Sequence, residues 1–139
     1  MYLILFYIFI VIGFSDENHD SKIIDLIMKG EYELLSNNAE NAKFYYEKIL
    51  DIDSSYAFAY LSLSEINLIQ NDLLEYSKSL SRAFELDRSN IEVGIMCANA
   101  YIINGQLNKA ESHLLNLNEL FPNNNEINFT LIELYKISK

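Results

Sequence analysis

Residues 91–124 read IEVGIMCANAYIINGQLNKAESHLLNLNELFPNN, and they contain the clearest helical pattern in the chain. Four apolar residues in the second half of this stretch recur at spacings of four, three and four: Ala110, Leu114, Leu117 and Phe121. Such spacing places them on one face of an α-helix. Asn104-Gly105 precedes this helix and Pro122-Asn123-Asn124 follows it. These residue types favour turns and helix ends, so the stretch predicts two helices joined by a short turn.

The same pattern occurs three times, in phase, at a fixed period of 34 residues. Equal steps of 34 connect Ala42, Tyr76 and Ala110; Tyr46, Leu80 and Leu114; Ile49, Ala83 and Leu117; and the turn residues Asn37, Asn71 and Gly105. A period of this length predicts a solenoid of helix–turn–helix units. We expect helices at 22–36, 39–52, 57–70, 73–86, 91–103, 107–120 and 125–137. Asp72, with Glu75 three residues later, is predicted to cap the fourth helix.

These copies resemble the tetratricopeptide repeat. Residues at family positions are Gly30, Ala42 and Tyr46 in repeat 23–56; Tyr60, Leu63 and Ala83 in repeat 57–90; and Tyr101, Gly105, Ala110 and Pro122 in repeat 91–124. Residues 125–139 resemble the first half of a fourth repeat and are predicted to cap the third. The sequence departs from the family at Tyr76, where the family has Ala, at Glu33, where it has Tyr, and at Gly94, where it has a large aromatic residue.

The resemblance implies an all-α fold, a right-handed superhelical solenoid of antiparallel helix pairs over residues 23–139. The alternative is a plain helical bundle or a closely related helical repeat. Composition agrees, since the 139 residues include one proline and four glycines. Ten Lys and Arg against twenty Asp and Glu give a net charge of −10, which disfavours nucleic acid as a partner.

Catalysis and metal binding have little support in the sequence. It has one cysteine, Cys97, and two histidines, His19 and His113. Cys97 falls at a core position, and we place His113 on the outer side of its helix, away from the thiol. We therefore expect neither an enzyme nor a cofactor or metal site.

The first 15 residues, MYLILFYIFIVIGFS, differ from the rest because residues 1–14 are uncharged and almost wholly apolar. The run is shorter than the roughly 17–25 residues of a membrane-spanning helix, but it suits the apolar region of a secretory signal. Gly13 and Ser15 would stand at positions −3 and −1 of a cleavage site, although no Lys or Arg precedes the run. We predict a signal peptide or signal-anchor at 1–15, a linker at 16–22, and an exported (secreted or periplasmic) or N-terminally anchored protein.

In the family, the first helix of each repeat lines a concave groove that binds an extended peptide or a partner's helix. Carried onto this chain, the groove positions are Ile27, Glu31, Phe58, Leu61, Ser62, Glu65, Ile95, Met96, Asn99, Phe129 and Glu133, with Glu92, Glu126 and Thr130 beside them. Glu31, Glu65, Asn99 and Glu133 recur at steps of 34 and form a predicted acidic row. The alternative is that these residues pack between helices or are ordinary solvent-facing side chains.

The groove composition indicates the kind of partner. Relatives that hold the terminal carboxylate of chaperones use Lys, Asn and Arg at positions that are here Ile27, Glu31, Ser62, Glu92 and Met96. None of these is basic, so that activity is excluded. We expect an adaptor or scaffold for a protein segment with apolar anchors and basic residues. The alternative is a structural homo-oligomer whose groove is filled by another copy.

Overall fold

The computed structural model describes the backbone of residues 2–138 and the side chains of residues 19–138. Within residues 2–138 there are seven helices and no β-strand: α1 Tyr2–Leu35, α2 Ala39–Ile52, α3 Ala57–Ile69, α4 Leu73–Leu86, α5 Ile91–Ile103, α6 Leu107–Leu120 and α7 Asn125–Ile137. The predicted all-α fold is confirmed. The bounds of α2 and of α4 to α7 match the predicted ones, and α3 ends one residue early.

Helix α1 is longer than the sequence predicted. The expected start was residue 22, after a linker at 16–22, whereas the helix runs without interruption from Tyr2 to Leu35. It contains no proline, and no glycine lies between Gly13 and Gly30 to weaken it. The predicted leader at 1–15 falls among residues whose side chains are outside the described part, so it stays a prediction. Among the described residues, no helix combines the length and apolarity that crossing a membrane requires.

The turns inside the helix pairs share one backbone conformation. Asn37, Asn71 and Gly105 have φ values of 59°, 59° and 71°, in the left-handed region. In each turn the following amide donates a 2.8 Å hydrogen bond to a carbonyl five residues earlier: Asn38 to Glu33, Asp72 to Asn67, and Gln106 to Tyr101. This is the Schellman arrangement, which satisfies carbonyls at a helix end. The predicted equivalence of the three turns is confirmed, and Asp72 caps α4 by accepting from the Glu75 amide at 3.1 Å.

Residues 1–54 form one compact unit, in which α1 packs against α2. The side chain of Tyr46 is fully buried against Gly30. A Cβ atom at residue 30 would lie 2.9 Å from the Tyr46 ring, so glycine lets the ring approach the backbone of α1. The Tyr46 hydroxyl donates to Glu31 Oε1 at 2.6 Å. The glutamate is therefore engaged within its own unit.

Residues 55–139 form the second unit, in which α3 to α7 contact one another in chain order and α7 also contacts α5. Its core includes the fully buried Leu80, Cys97, Ala110 and Leu117. Helix α7 contributes the buried Ile127, Leu131 and Leu134 to the same core. That α7 caps the apolar end of the third repeat stays a prediction.

Position 94 is a glycine where the family has an aromatic residue, and side chains from neighbouring helices fill the space beside it. A Cβ atom on Gly94 would lie 2.7 Å from Leu117 Cδ2 and 3.0 Å from Phe84 Cε2. His113 Nε2 lies 2.9 Å from the Gly94 carbonyl oxygen, to which it donates. The imidazole stands edge-on to the rings of Phe84 and Tyr101. His113 is thus half-buried, and its predicted outer placement is wrong because the ring bonds the Gly94 carbonyl on α5 and packs against Phe84 and Tyr101.

Enlarging Ala110 should destabilise the second unit. Ala110 is fully buried, and overpacking a filled core costs about 1–3 kcal/mol. We expect Ala110→Leu to lower the free energy of unfolding by that amount, measured from denaturant midpoints. The matched control is Asn116→Leu on the exposed side of α6, which should change it by less than about 0.5 kcal/mol. Equal effects of the two changes would contradict the assigned helix register.

Stability should also fall on mild acidification because of His113. Burial, with Arg88 nearby, lowers the pKa of His113 from its ordinary 6.5, although the bond to Gly94 opposes this. The unfolded chain therefore takes up a proton below pH 6.5 that the folded chain refuses, and the free energy of unfolding decreases there. We expect the denaturant midpoint to drop between about pH 7.5 and about pH 5.5, and His113→Gln to remove much of this drop. An unchanged pH profile in His113→Gln would disprove the role of the imidazole.

Candidate functional site

An open trough lies between α5 and α7, and we call it the α5–α7 trough. Its volume is about 440 Å³, within the usual range for binding clefts. The lining residues are Ile95, Asn99 and Ile102 from α5, and Glu126, Phe129, Thr130, Glu133, Leu134 and Ile137 from α7. The two helices are the first helices of successive repeats, so residues 34 apart face each other across the trough, as Asn99 and Glu133 do.

The floor of the trough is apolar and its upper walls are accessible. Ile95 and Leu134 are buried, whereas Phe129 is 62% and Ile137 57% exposed. The Thr130 hydroxyl donates to the Glu126 carbonyl at 2.9 Å, so its proton is already used within α7. The exposed apolar surface of Phe129 and Ile137 is free to contact a ligand.

The side chains that line the trough include two carboxylates and no cation. Glu126 and Glu133 are exposed, and Lys and Arg are absent from the lining residues. Glu133 pairs with Lys136 at 2.7 Å, with both side chains about half exposed. Exposed pairs of this kind contribute about 0–1 kcal/mol, so a ligand cation can displace Lys136 at little cost.

A second, smaller pocket lies between α3 and the α4–α5 turn, with a volume of about 190 Å³. It is lined by Ala57, Phe58, Leu61, Ala83, Asp87, Asn90 and Val93. Asn90 accepts from the Val93 amide at 3.1 Å, and Asp87 accepts from the amide and hydroxyl of Ser89. Because these polar groups are engaged, the pocket suits a single apolar side chain.

The predicted groove residues differ in where they lie and in how exposed they are. Ile95, Asn99, Phe129 and Glu133 come together in the α5–α7 trough, and Phe58 and Leu61 line the smaller pocket. Glu65 is exposed, Met96 packs against the core, and Ser62 is only 4% exposed, which removes it from the accessible surface. In the first unit, Ile27 is half-buried and Glu31 is held by Tyr46.

Ile102, Leu134 and Ile137 line the trough but were not predicted from the sequence. A signal for Ile137 was present, since it follows Ile69 and Ile103 at steps of 34, and all three are more than half exposed. Ile102 is half-buried and Leu134 buried. Only the packing of side chains reveals that these two reach the trough.

Cys97 has the character of a packing residue. It is fully buried, and burial raises the pKa of its thiol to about 11. A thiol of this kind is largely protonated at neutral pH and a poor nucleophile. Among the described residues, no group of three or more His, Cys, Asp and Glu side chains could hold a metal ion.

Comparison with known proteins shows that the chain has the tetratricopeptide-repeat fold. No family model matches the sequence, and no curated protein does so either. Among solved structures, the second such domain of human RPAP3, in complex with the HSP70 peptide SGPTIEEVD, is 20% identical with a TM-score of 0.68 and covers 84% of this chain and 98% of that one. The Yersinia enterocolitica secretion chaperone SycD, in complex with a peptide of the translocator YopD, is 17% identical with a TM-score of 0.69, over 86% and 96%.

A third similar structure belongs to an enzyme. The Thermobaculum terrenum O-GlcNAc transferase is 17% identical with a TM-score of 0.62, and the match covers 84% of this chain but 22% of that one. At these identities the likeness shows the fold of this chain and no more.

Proposed function

We propose that the chain is a non-catalytic adaptor that binds a segment of another protein in the α5–α7 trough. One observation carries the proposal: Phe129 and Ile137, each more than half exposed, stand beside an open trough with a buried apolar floor. Exposed apolar surface next to a cleft is typical of an interaction site. Two proteins of the same fold were solved with peptides, which supports a peptide as the ligand here.

The partner segment should carry apolar anchors together with basic residues. Glu126 and Glu133 give the trough a negative potential in a chain whose net charge is −10. Such a potential attracts cations and speeds their encounter with the site. A segment such as SGPTIEEVD, with its two glutamates and aspartate, would be repelled. The sequence-based exclusion of a carboxylate-binding groove agrees with this charge.

Self-association is the alternative, and the outer face of α7 favours it. Ile132 is 54% exposed, whereas Gly30, Ser64 and Ala98, at steps of 34 before it, are buried. Light scattering coupled to size-exclusion chromatography distinguishes the two proposals. A mass that rises with concentration, and that Ile132→Lys restores to the monomer value, would favour self-association through this face.

A selection from a phage-displayed library of random peptides tests the adaptor proposal on the full chain. Peptides that use the trough should bind Phe129→Lys at least about tenfold more weakly, because a charge replaces the exposed ring at the centre of the contact. The matched control is Ile132→Lys, since the two side chains are similarly exposed on α7 and only Phe129 lines the trough. Far-ultraviolet circular dichroism confirms that both variants fold. Failure to enrich any peptide that discriminates between the two variants would refute the proposal.

We further propose that the protein is exported, or anchored at its N-terminus. The support is the uncharged run at residues 1–14, which ends in Gly13-Phe14 and is followed by Ser15 and Asp16. On expression with an intact secretory pathway, the intact mass should correspond to a chain that begins at Asp16. Full-length protein in the membrane fraction would support the anchor instead, and full-length protein in the cytosol would contradict both forms of the proposal.

A further inference from the structure

We propose that the α5–α7 trough recognises an extended segment of polyproline II type that carries two basic residues three positions apart, with an apolar residue between them. This inference rests on the proposed function and specifies its ligand. The observations that carry it are the spacing of two carboxylates on α7, the ring exposed between them, and an unused amide on α5.

The two carboxylates set the spacing of the ligand's charges. Glu126 and Glu133 both line the trough and are seven residues apart on one helix. Seven residues are nearly two turns, so the two side chains leave α7 on the same side, about 10.5 Å apart along its axis. A ligand that pairs with both must present two cations on one side at a similar distance.

A polyproline II segment meets this requirement. It has three residues per turn and rises about 3.1 Å per residue, so residues i and i+3 point the same way about 9.3 Å apart. In a β-strand, residues i and i+3 point to opposite sides. An α-helical ligand would need its cations seven residues apart, a distinct spacing that experiment can separate.

The centre of the trough fits the remaining parts of such a segment. Phe129, 62% exposed, lies in the chain between Glu126 and Glu133 and lines the same wall, so it offers an aromatic surface to the apolar residue between the two cations. Aromatic side chains are the usual contact for polyproline II ligands.

Asn99 supplies the polar contact that an extended backbone needs. It is exposed, lines the trough from α5, and its amide makes no hydrogen bond among the described residues. A polyproline II segment has no internal hydrogen bonds, so its peptide groups can pair with this amide. An α-helix satisfies its own backbone and would leave Asn99 unused.

The ion pair between Lys136 and Glu133 offers a second test of the proposed contact. Lys136 pairs with Glu133 at 2.7 Å and so competes with the ligand's cation. If Glu133 binds a basic residue of the ligand, Lys136→Gln should strengthen binding by up to about fivefold, the upper range for an exposed pair. A ligand that used only the apolar floor would bind this variant and the parent alike.

Fluorescence anisotropy with terminally capped, labelled peptides and the full chain tests the inference. The probes contain Lys-Leu-Pro-Lys, its permutation Lys-Lys-Leu-Pro, the neutral Gln-Leu-Pro-Gln, and a helix-forming peptide with lysines seven apart. We expect the first to bind about fivefold or more tightly than each of the others at about 20 mM salt, with the difference shrinking at about 300 mM.

Paired variants assign the effect to the two carboxylates. Glu126→Gln with Glu133→Gln should abolish the preference for Lys-Leu-Pro-Lys. The control is Glu47→Gln with Glu119→Gln, which removes the same charge at exposed sites outside the trough and should preserve the preference. Tightest binding of the permuted, neutral or helical probe overturns the inference, as does binding of none. The adaptor proposal can hold even if this inference fails. It requires only that some peptide from the random library bind the parent chain more tightly than it binds Phe129→Lys.

Discussion

One residue with a left-handed backbone conformation forms the turn between the two helices of each pair, and the packing of the helices follows from these turns. Asn37, Asn71 and Gly105 reverse the chain in the same way, with the same hydrogen bond five residues back. Only glycine adopts this conformation without strain, and asparagine tolerates it better than most residues. The turn at Gly105 and the turn between α6 and α7 together complete one period, so α5 and α7 begin 34 residues apart, at Ile91 and Asn125. That register places Asn99 opposite Glu133 and creates the trough between equivalent faces.

The remaining packing adapts to this frame. Position 94 shows how, since a glycine there would leave a void if no other side chain filled it, and Phe84 and Leu117 occupy that space. The family's aromatic residue is thus replaced by side chains from other helices. A solenoid therefore tolerates loss of a signature residue when its neighbours along the chain can reach the same volume.

The sequence predicted the helices well because their ends depend on local chemistry. Turn residues at fixed steps and the Asp72 cap act over a few residues, and the bounds of α2 and α4 to α7 followed from them. The candidate site was predictable only in part. Register identified Asn99, Phe129 and Glu133, but the burial of Ser62 and the half-burial of His113 depend on contacts between helices that no period reveals.

Helix α7 forms one wall of the trough and, among the helices of residues 2–138, contacts only α5 and α6. One face of the helix contributes Ile127, Leu131 and Leu134 to the core. The outer face carries Ile132, which is exposed. In a linear array, an element with neighbours on one side is held by fewer interfaces than an interior one. A molecule that touches both walls of the trough binds only chains in which α7 is docked. Occupancy and the docking of the terminal helix are consequently linked equilibria, in which each favours the other.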